Sequence, residues 1–104
     1  DFIHVDDVND FHLLCLEDDR TVGGTYNLGS GANHSVKDIF EMLEAVLRTG
    51  IEPNYASDLP GEAEITLADI GAVKKLGWEP KIGLKEGLET SIAYIRQEVL
   101  PTLP

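Results

Sequence analysis

The sequence contains few of the residues that build metal sites, disulfides or membrane spans. Its 104 residues include a single cysteine, Cys15, which excludes an intramolecular disulfide and a thiolate metal cluster. The three histidines follow no recognised ligand spacing, so we predict no metal site. No apolar run approaches the roughly 20 residues that span a bilayer, and the first residues show no signal-peptide pattern.

Positive charge is also scarce. Eight lysine and arginine residues stand against 19 aspartate and glutamate residues, for a net charge of −11. A chain this acidic repels nucleic acid and anionic lipid, so we expect neither as a partner. Because Cys15 lies among leucines, we expect a buried structural thiol. A single cysteine without a disulfide partner fits a reducing compartment, so we expect a cytoplasmic location. An anionic ligand would need local positive charge, for example from residues outside this chain.

Apolar periodicity predicts four helices. The first runs from about Asp7 to Glu17, and the second begins at Ser35 and ends near Gly50. Ser35 followed three residues later by Asp38 has the form of a capping box. Asp69 is placed to cap a short third helix, and the fourth runs from about Leu84 to Leu100. Helix therefore dominates the predicted fold.

Three segments, residues 2–5, 25–28 and 53–56, have the composition of short strands. They are too short and too few to make a stable sheet of their own. We therefore predict an α/β class, in the form of a helix-dominated α+β fragment with short strands and about four helices. The shortage of strands indicates that the helices evolved to pack on a larger sheet that this chain lacks, and the initial Asp in place of Met agrees with a processed chain or a fragment.

An ordered set of short motifs covers nearly the whole chain. It comprises DFIHVDD at 1–7, YNLGSG at 26–31, SV at 35–36, PGE at 60–62, LAD at 67–69, KKLGWEPK at 74–81 and LKEGLETSI at 84–92. Each motif alone is weak, but their order resembles the C-terminal part of the NAD-dependent nucleotide-sugar epimerases and dehydratases. These enzymes, of the UDP-glucose and UDP-galactose type, belong to the extended short-chain dehydrogenase/reductase superfamily.

The resemblance implies that nucleotide-sugar binding and NAD binding lie in two different parts of a larger enzyme. Residues 1–104 would be the C-terminal, nucleotide-sugar-binding portion of an extended Rossmann-type protein, whose NAD-binding domain is absent from this chain. The G-x-G-x-x-G turn and the Tyr-x-x-x-Lys pair of that family are missing here. We therefore expect NAD to belong to the parent protein, no cofactor to bind this chain alone, and no catalytic residue within it.

The resemblance also assigns four candidate substrate-binding positions. Phe2 occupies the place of an aromatic residue beside the nucleotide, and Val36 matches a residue lining the base or ribose pocket. Glu62 matches an acid that hydrogen-bonds ribose hydroxyls. Leu59 stands where the family usually has a diphosphate-binding arginine, and leucine offers no charged hydrogen bond. The sequence leaves open whether a neighbouring cation compensates or whether nucleotide affinity is lost.

Two other functions remain open at this point. One is a non-catalytic binding or interaction module that kept the fold and lost tight nucleotide recognition. The other is an unrelated small acidic α+β domain that acts through protein contacts. For the substrate-binding portion, the expected partners are a nucleotide sugar, the missing N-terminal Rossmann domain, and further copies of the chain associating through exposed apolar faces.

Overall fold

The computed structural model describes all of residues 1–104 and contains four α-helices. They are α1 (Val5–Glu17), α2 (Val36–Leu47), α3 (Gly71–Lys75) and α4 (Leu84–Tyr94). A 3₁₀ turn, Asp19–Thr21, follows α1, and α4 continues into a π-helical turn, Ile95–Val99, and a 3₁₀ turn, Leu100–Thr102. The four predicted helices are all present, and the helix-dominated fold is confirmed. None of them combines the length and apolar composition that a bilayer crossing requires.

Local sequence explains where the two long helices begin. His4 caps α1, since its Nδ1 accepts a hydrogen bond from the Asp6 amide at 3.2 Å. The predicted capping box starts α2: the Asp38 amide donates to Ser35 Oγ, and the Ser35 amide donates to the Asp38 carboxylate. Arg48 ends α2 in the left-handed conformation, two residues before Gly50.

The predicted strands are wrong. Residues 2–4, 25–28 and 53–56 have no regular secondary structure, and the structure contains no strand. Every residue from 51 to 67 is exposed. The physical reason is the one that the composition already suggested: a strand forms only in a hydrogen-bonded ladder with a partner strand, and these segments form no such ladder.

The buried core is small and aromatic. Phe11, Ile70, Val73 and Trp78 are its four buried apolar residues. The ring of Phe11 meets Trp78 edge to face at 5.9 Å and Tyr26 at 5.5 Å. Trp78 is buried just after the end of α3. The predicted burial of Cys15 is only half right, since its side chain is partly exposed at the edge of this core.

A buried carboxylate connects the start of α1 with the segment before α4. Asp7, only 2% exposed, accepts hydrogen bonds from the amides of Lys81 at 2.9 Å and Ile82 at 3.1 Å. Its backbone carbonyl accepts from Trp78 Nε1 at 3.0 Å. The first turn of α1 is thereby fixed against the segment that leads into α4.

The chain is far more open than a self-contained domain of its size. A folded protein of 11.4 kDa exposes about 5,800 Å², whereas this one exposes 8118 Å². Its radius of gyration is 16.9 Å, against about 13 Å for a compact chain of this length. Large apolar side chains on α1, at the end of α4 and beyond it are exposed, including Leu13, Leu16, Tyr94 and Leu100. The helices thus present apolar surface that the chain does not itself cover.

Candidate functional site

A cleft of about 480 Å³ lies between the first two residues, the start of α2 and the segment 63–66. It is lined by Asp1, Phe2, Asn33, His34, Ser35, Val36, Asp38, Ala63, Glu64, Ile65 and Thr66. Its volume falls within the usual range for small-molecule sites. We call this set of residues the cleft.

The Asp1 carboxylate holds two walls of the cleft together. It accepts hydrogen bonds from the amide and the hydroxyl of Ser30, each at 2.7 Å, and from the Ala68 amide at 3.1 Å. The amino group of the same residue donates to the carbonyl of Thr66 at 2.8 Å and to its hydroxyl at 2.9 Å. Residues 29–30 and 66–68 are therefore tied to the residue that precedes Phe2.

Gly29 is required by this close approach. A Cβ atom at position 29 would lie 2.5 Å from the Asp1 carboxylate and 2.6 Å from the Ala68 methyl group. Gly31, two residues on, has a φ of 76°, a conformation that favours glycine. Both observations give these two glycines a structural role in the segment before α2.

The cleft offers both apolar surface and polar groups. Phe2 is 42% exposed and Val36 is 79% exposed, so both apolar side chains are available to a ligand. Asn33 and His34 add hydrogen-bonding groups on the same side as Val36. An exposed aromatic ring beside amide and hydroxyl groups suits a planar, uncharged ligand with several hydrogen-bonding atoms.

The charges of the cleft are mostly negative. Three of its residues are acidic, and no lysine or arginine side chain lines it. The Ser35 backbone amide and hydroxyl hold the pKa of Asp38 below its ordinary value. The carboxylates of Asp1 and Asp38 are occupied by hydrogen bonds within the chain, but that of Glu64 has no partner. Glu64 is therefore the free acid of the cleft.

Comparison with known proteins identifies relatives of the chain. No family model matches the chain. Over 89 residues it is 36% identical to UDP-glucose 4-epimerase of Bacillus subtilis. The aligned region makes up 83% of this chain and 26% of that protein. It is 30% identical over 102 residues to UDP-glucuronate 4-epimerase of Thermodesulfobacterium geofontis, covering 95% and 31%. The crystal structure of UDP-glucose 4-epimerase from Thermotoga maritima, solved with UDP-glucose, matches with a TM-score of 0.82 and 33% identity, covering 93% of this chain and 31% of that one.

This chain matches the C-terminal part of nucleotide-sugar epimerases. It spans about a quarter to a third of the length of the curated relatives it matches, and the matched region is the C-terminal part of those proteins. The resemblance predicted from the ordered motifs is confirmed, and so is the fold class as a helix-rich part of an epimerase fold.

The structure divides the four predicted binding residues into two pairs. Phe2 and Val36, 34 positions apart in sequence, line the same cleft. Leu59 and Glu62 do not line it. They face each other across a turn, in which the Leu59 amide donates to the Glu62 carboxylate and the Glu62 amide donates to the Leu59 carbonyl, both at 3.2 Å. The ligand roles of all four residues remain predictions.

Sequence reasoning missed Glu64 and Asn33 as lining residues. Neither lies in a motif that carries the resemblance, and both come from irregular segments, so no periodicity marks them. The histidines do not cluster either: no group of three or more His, Cys, Asp or Glu side chains is arranged to hold a metal ion.

Proposed function

We propose that residues 1–104 form the nucleotide-sugar-binding portion of an NAD-dependent epimerase that acts on UDP-glucose or a related nucleotide sugar. The cleft, which we call the nucleotide cleft in view of this proposal, would hold the nucleoside end of that substrate. The observation that carries this proposal is the meeting of Phe2 and Val36 in one cleft, in a chain that superposes on an epimerase solved with UDP-glucose.

In this proposal the chain supplies binding and orientation, and the chemistry lies elsewhere. NAD would take a hydride from the sugar, and the proton-transfer groups would lie in the rest of the parent protein. Holding the nucleotide fixes the sugar relative to those groups, which lowers the entropic part of the barrier. The chain by itself would then have no epimerase activity.

The glycine-rich turn at 29–31 does not suit the pyrophosphate of NAD. It precedes α2, but the Ser30 amide already donates to the Asp1 carboxylate at 2.7 Å. A pyrophosphate at this turn would compete with that bond and meet a negative charge. This supports the proposal that a separate Rossmann domain holds the cofactor.

The large exposed surface of the chain supports the inference that a large partner domain covers it. The chain exposes about 2,300 Å² more than a compact protein of its mass, an excess within the range that permanent interfaces bury. We propose that the NAD-binding domain covers most of this surface, and that copies of the isolated chain associate through it.

Calorimetric titration of the chain with UDP-glucose tests the proposal. We expect saturable binding that Phe2→Ala and Val36→Asp each weaken at least fivefold, because both side chains line the cleft. Val22→Asp is the matched control, since Val22 is equally exposed but lies outside the cleft. UDP-glucose binding that neither the Phe2 nor the Val36 substitution weakens would contradict the assigned site.

Leu59 favours one alternative, a non-catalytic module that has lost tight nucleotide recognition. Its side chain cannot supply the charged hydrogen bond that the family's arginine makes, and losing one such bond costs about 1.5–3 kcal/mol. Micromolar affinity for UDP-glucose in the parent protein would exclude this alternative, and affinity weaker than millimolar would favour it.

A further inference from the structure

We propose that His4 is a positioning residue for the nucleotide cleft. Its neutral imidazole, protonated on Nε2, links the start of α1 to α4 and thereby fixes the segment that carries Phe2. This inference rests on the proposed function and adds to it a residue that does not itself line the cleft.

The imidazole of His4 is enclosed between two helices. Its side chain is only 16% exposed. Nδ1 lies 3.2 Å from the amide nitrogen of Asp6 in the first turn of α1, and Nε2 lies 3.3 Å from the hydroxyl oxygen of Thr90 in α4. Each ring nitrogen therefore has a partner on a different helix.

These partners determine which ring nitrogen carries the proton. The Asp6 amide can only donate, so Nδ1 is the acceptor. The Thr90 hydroxyl has one hydrogen, and its oxygen lies 3.1 Å from the Glu86 carbonyl and 3.0 Å from the Gly87 carbonyl, which can only accept. The hydroxyl thus donates within α4 and accepts from Nε2–H. The Asp6 carboxylate, 3.7 Å from Nδ1, is beyond hydrogen-bond distance.

Gly87 makes room for the imidazole ring. It is buried within α4, and a Cβ atom there would lie 3.1 Å from Cδ2 of His4. Glycine inside a helix is less favourable than alanine, so such a position calls for a packing reason. The close approach of His4 supplies that reason, and it indicates a specific fit between the ring and α4.

The link acts on the cleft through Phe2. Phe2 and Ile3 lie in an irregular segment, and none of their backbone groups hydrogen-bonds to another backbone group. The segment is held by Asp1 on one side and by His4 on the other. Phe2 also lines a second cavity, of about 320 Å³, together with His4 and Gly87. A displaced His4 would therefore displace Phe2.

Nitrogen-15 NMR of the imidazole rings at pH 8 tests the tautomer, because it separates protonated from unprotonated ring nitrogens. We expect a protonated Nε2 and an unprotonated Nδ1 in His4. His12, which is exposed, is the internal control and should exchange between both tautomers. Gly87→Ala should shift the His4 ring signals and leave those of His12 in place. The opposite tautomer in His4, or exchange like that of His12, would overturn the inference.

Titration of the chain with UDP-glucose tests the positioning role. His4→Asn keeps an acceptor for the Asp6 amide but has no atom in the place of Nε2, and Thr90→Val keeps the side-chain shape but removes the acceptor. We expect each to weaken binding about threefold to tenfold, the equivalent of one hydrogen bond. The double variant should bind no more weakly than either single one, because both remove the same link.

Thr102→Val is the matched control for the threonine substitution. The Thr102 hydroxyl also donates to a carbonyl three positions earlier, that of Val99, but it reaches no second helix. This variant should bind UDP-glucose as the wild-type chain does. Circular dichroism melts accompany each titration, which is run well below the lowest melting temperature.

Two further results would count against the inference and are distinguishable. Lower melting temperatures with unchanged UDP-glucose affinity would show that the link only stabilises the fold, which removes the positioning role and leaves the proposed function intact. A wild-type chain that does not bind UDP-glucose at millimolar concentration would contradict the proposed function itself, and the positioning role with it.

Discussion

The indole nitrogen of Trp78 donates a hydrogen bond to the backbone carbonyl of Asp7, 71 positions away, at 3.0 Å. The carboxylate of the same Asp7 accepts from the amides of Lys81 and Ile82. One buried acidic residue therefore ties the start of α1 to the chain leaving α3. The core has only four buried apolar residues, so we expect these hydrogen bonds to contribute substantially to stability.

Replacing Asp7 with Asn should lower the free energy of unfolding by about 2–3 kcal/mol, because the amide group can accept one of the two N–H bonds but opposes the other. Urea unfolding followed by Trp78 fluorescence measures the change. Asp19→Asn is the control, since that exposed carboxylate makes no hydrogen bond. If the two variants have equal urea midpoints of unfolding, the buried Asp7 carboxylate does not stabilise the fold.

Gly29→Ala should disrupt the wall of the nucleotide cleft. The added methyl group would lie within 2.6 Å of both Asp1 and Ala68, so we expect a loss of about 1–3 kcal/mol in stability together with weaker UDP-glucose binding. Gly83→Ala is the control, because a Cβ there meets open space. A melting temperature and an affinity unchanged from wild type would show that residues 29 and 1 are not held in contact.

The capping box of α2 predicts a pH dependence. Hydrogen bonds from the Ser35 amide and hydroxyl lower the pKa of Asp38 in the folded chain. Its contribution to stability is therefore fully present above the ordinary aspartate pKa of about 3.9 and is lost as pH falls through the lower folded value. Melting temperatures between pH 6 and 3 should fall less steeply for Asp38→Asn than for wild type.

Asp58→Asn is the control for this pH series, because the Asp58 carboxylate makes no hydrogen bond and lies in an exposed irregular segment. Its melting temperature should follow that of the wild-type chain across the range. An NMR titration in which Asp38 gains its proton at or above the ordinary aspartate value would contradict the proposed cap energetics.

The open shape predicts self-association. Small-angle X-ray scattering at low concentration should give a radius of gyration close to the 16.9 Å of the structure, and light scattering should show the mean mass rising with concentration. Leu13→Glu combined with Leu16→Glu should reduce this rise, since both side chains are exposed on α1. A monomer at all concentrations with a radius near 13 Å would show that the chain covers its own apolar faces.

The helices could be predicted from the sequence because their signals are local. The capping pair Ser35 and Asp38 and the 3.6-residue periodicity of α2 depend only on neighbours a few positions away, and both were correct. The strands could not be predicted reliably. Residues 25–28 have strand composition, but strand pairing is a tertiary property, and these residues pair with no other strand.

The cleft was only half predictable for a similar reason. Phe2 and Val36 lie in motifs that the family shares, so the resemblance identified both. The Asp1 carboxylate accepts hydrogen bonds from Ser30 and Ala68, and these fix the path of the chain just before Ala68. That path brings Glu64 into the cleft. A contact between residues more than 60 positions apart has no signature in composition or spacing.

The most direct test of the account is a map of amide chemical-shift changes in the nitrogen-15-labelled chain during titration with UDP-glucose. The account predicts that the largest changes fall at residues 1–2, 33–36 and 63–66, the three segments that line the nucleotide cleft. Changes confined to other segments, or none at millimolar ligand, would contradict it.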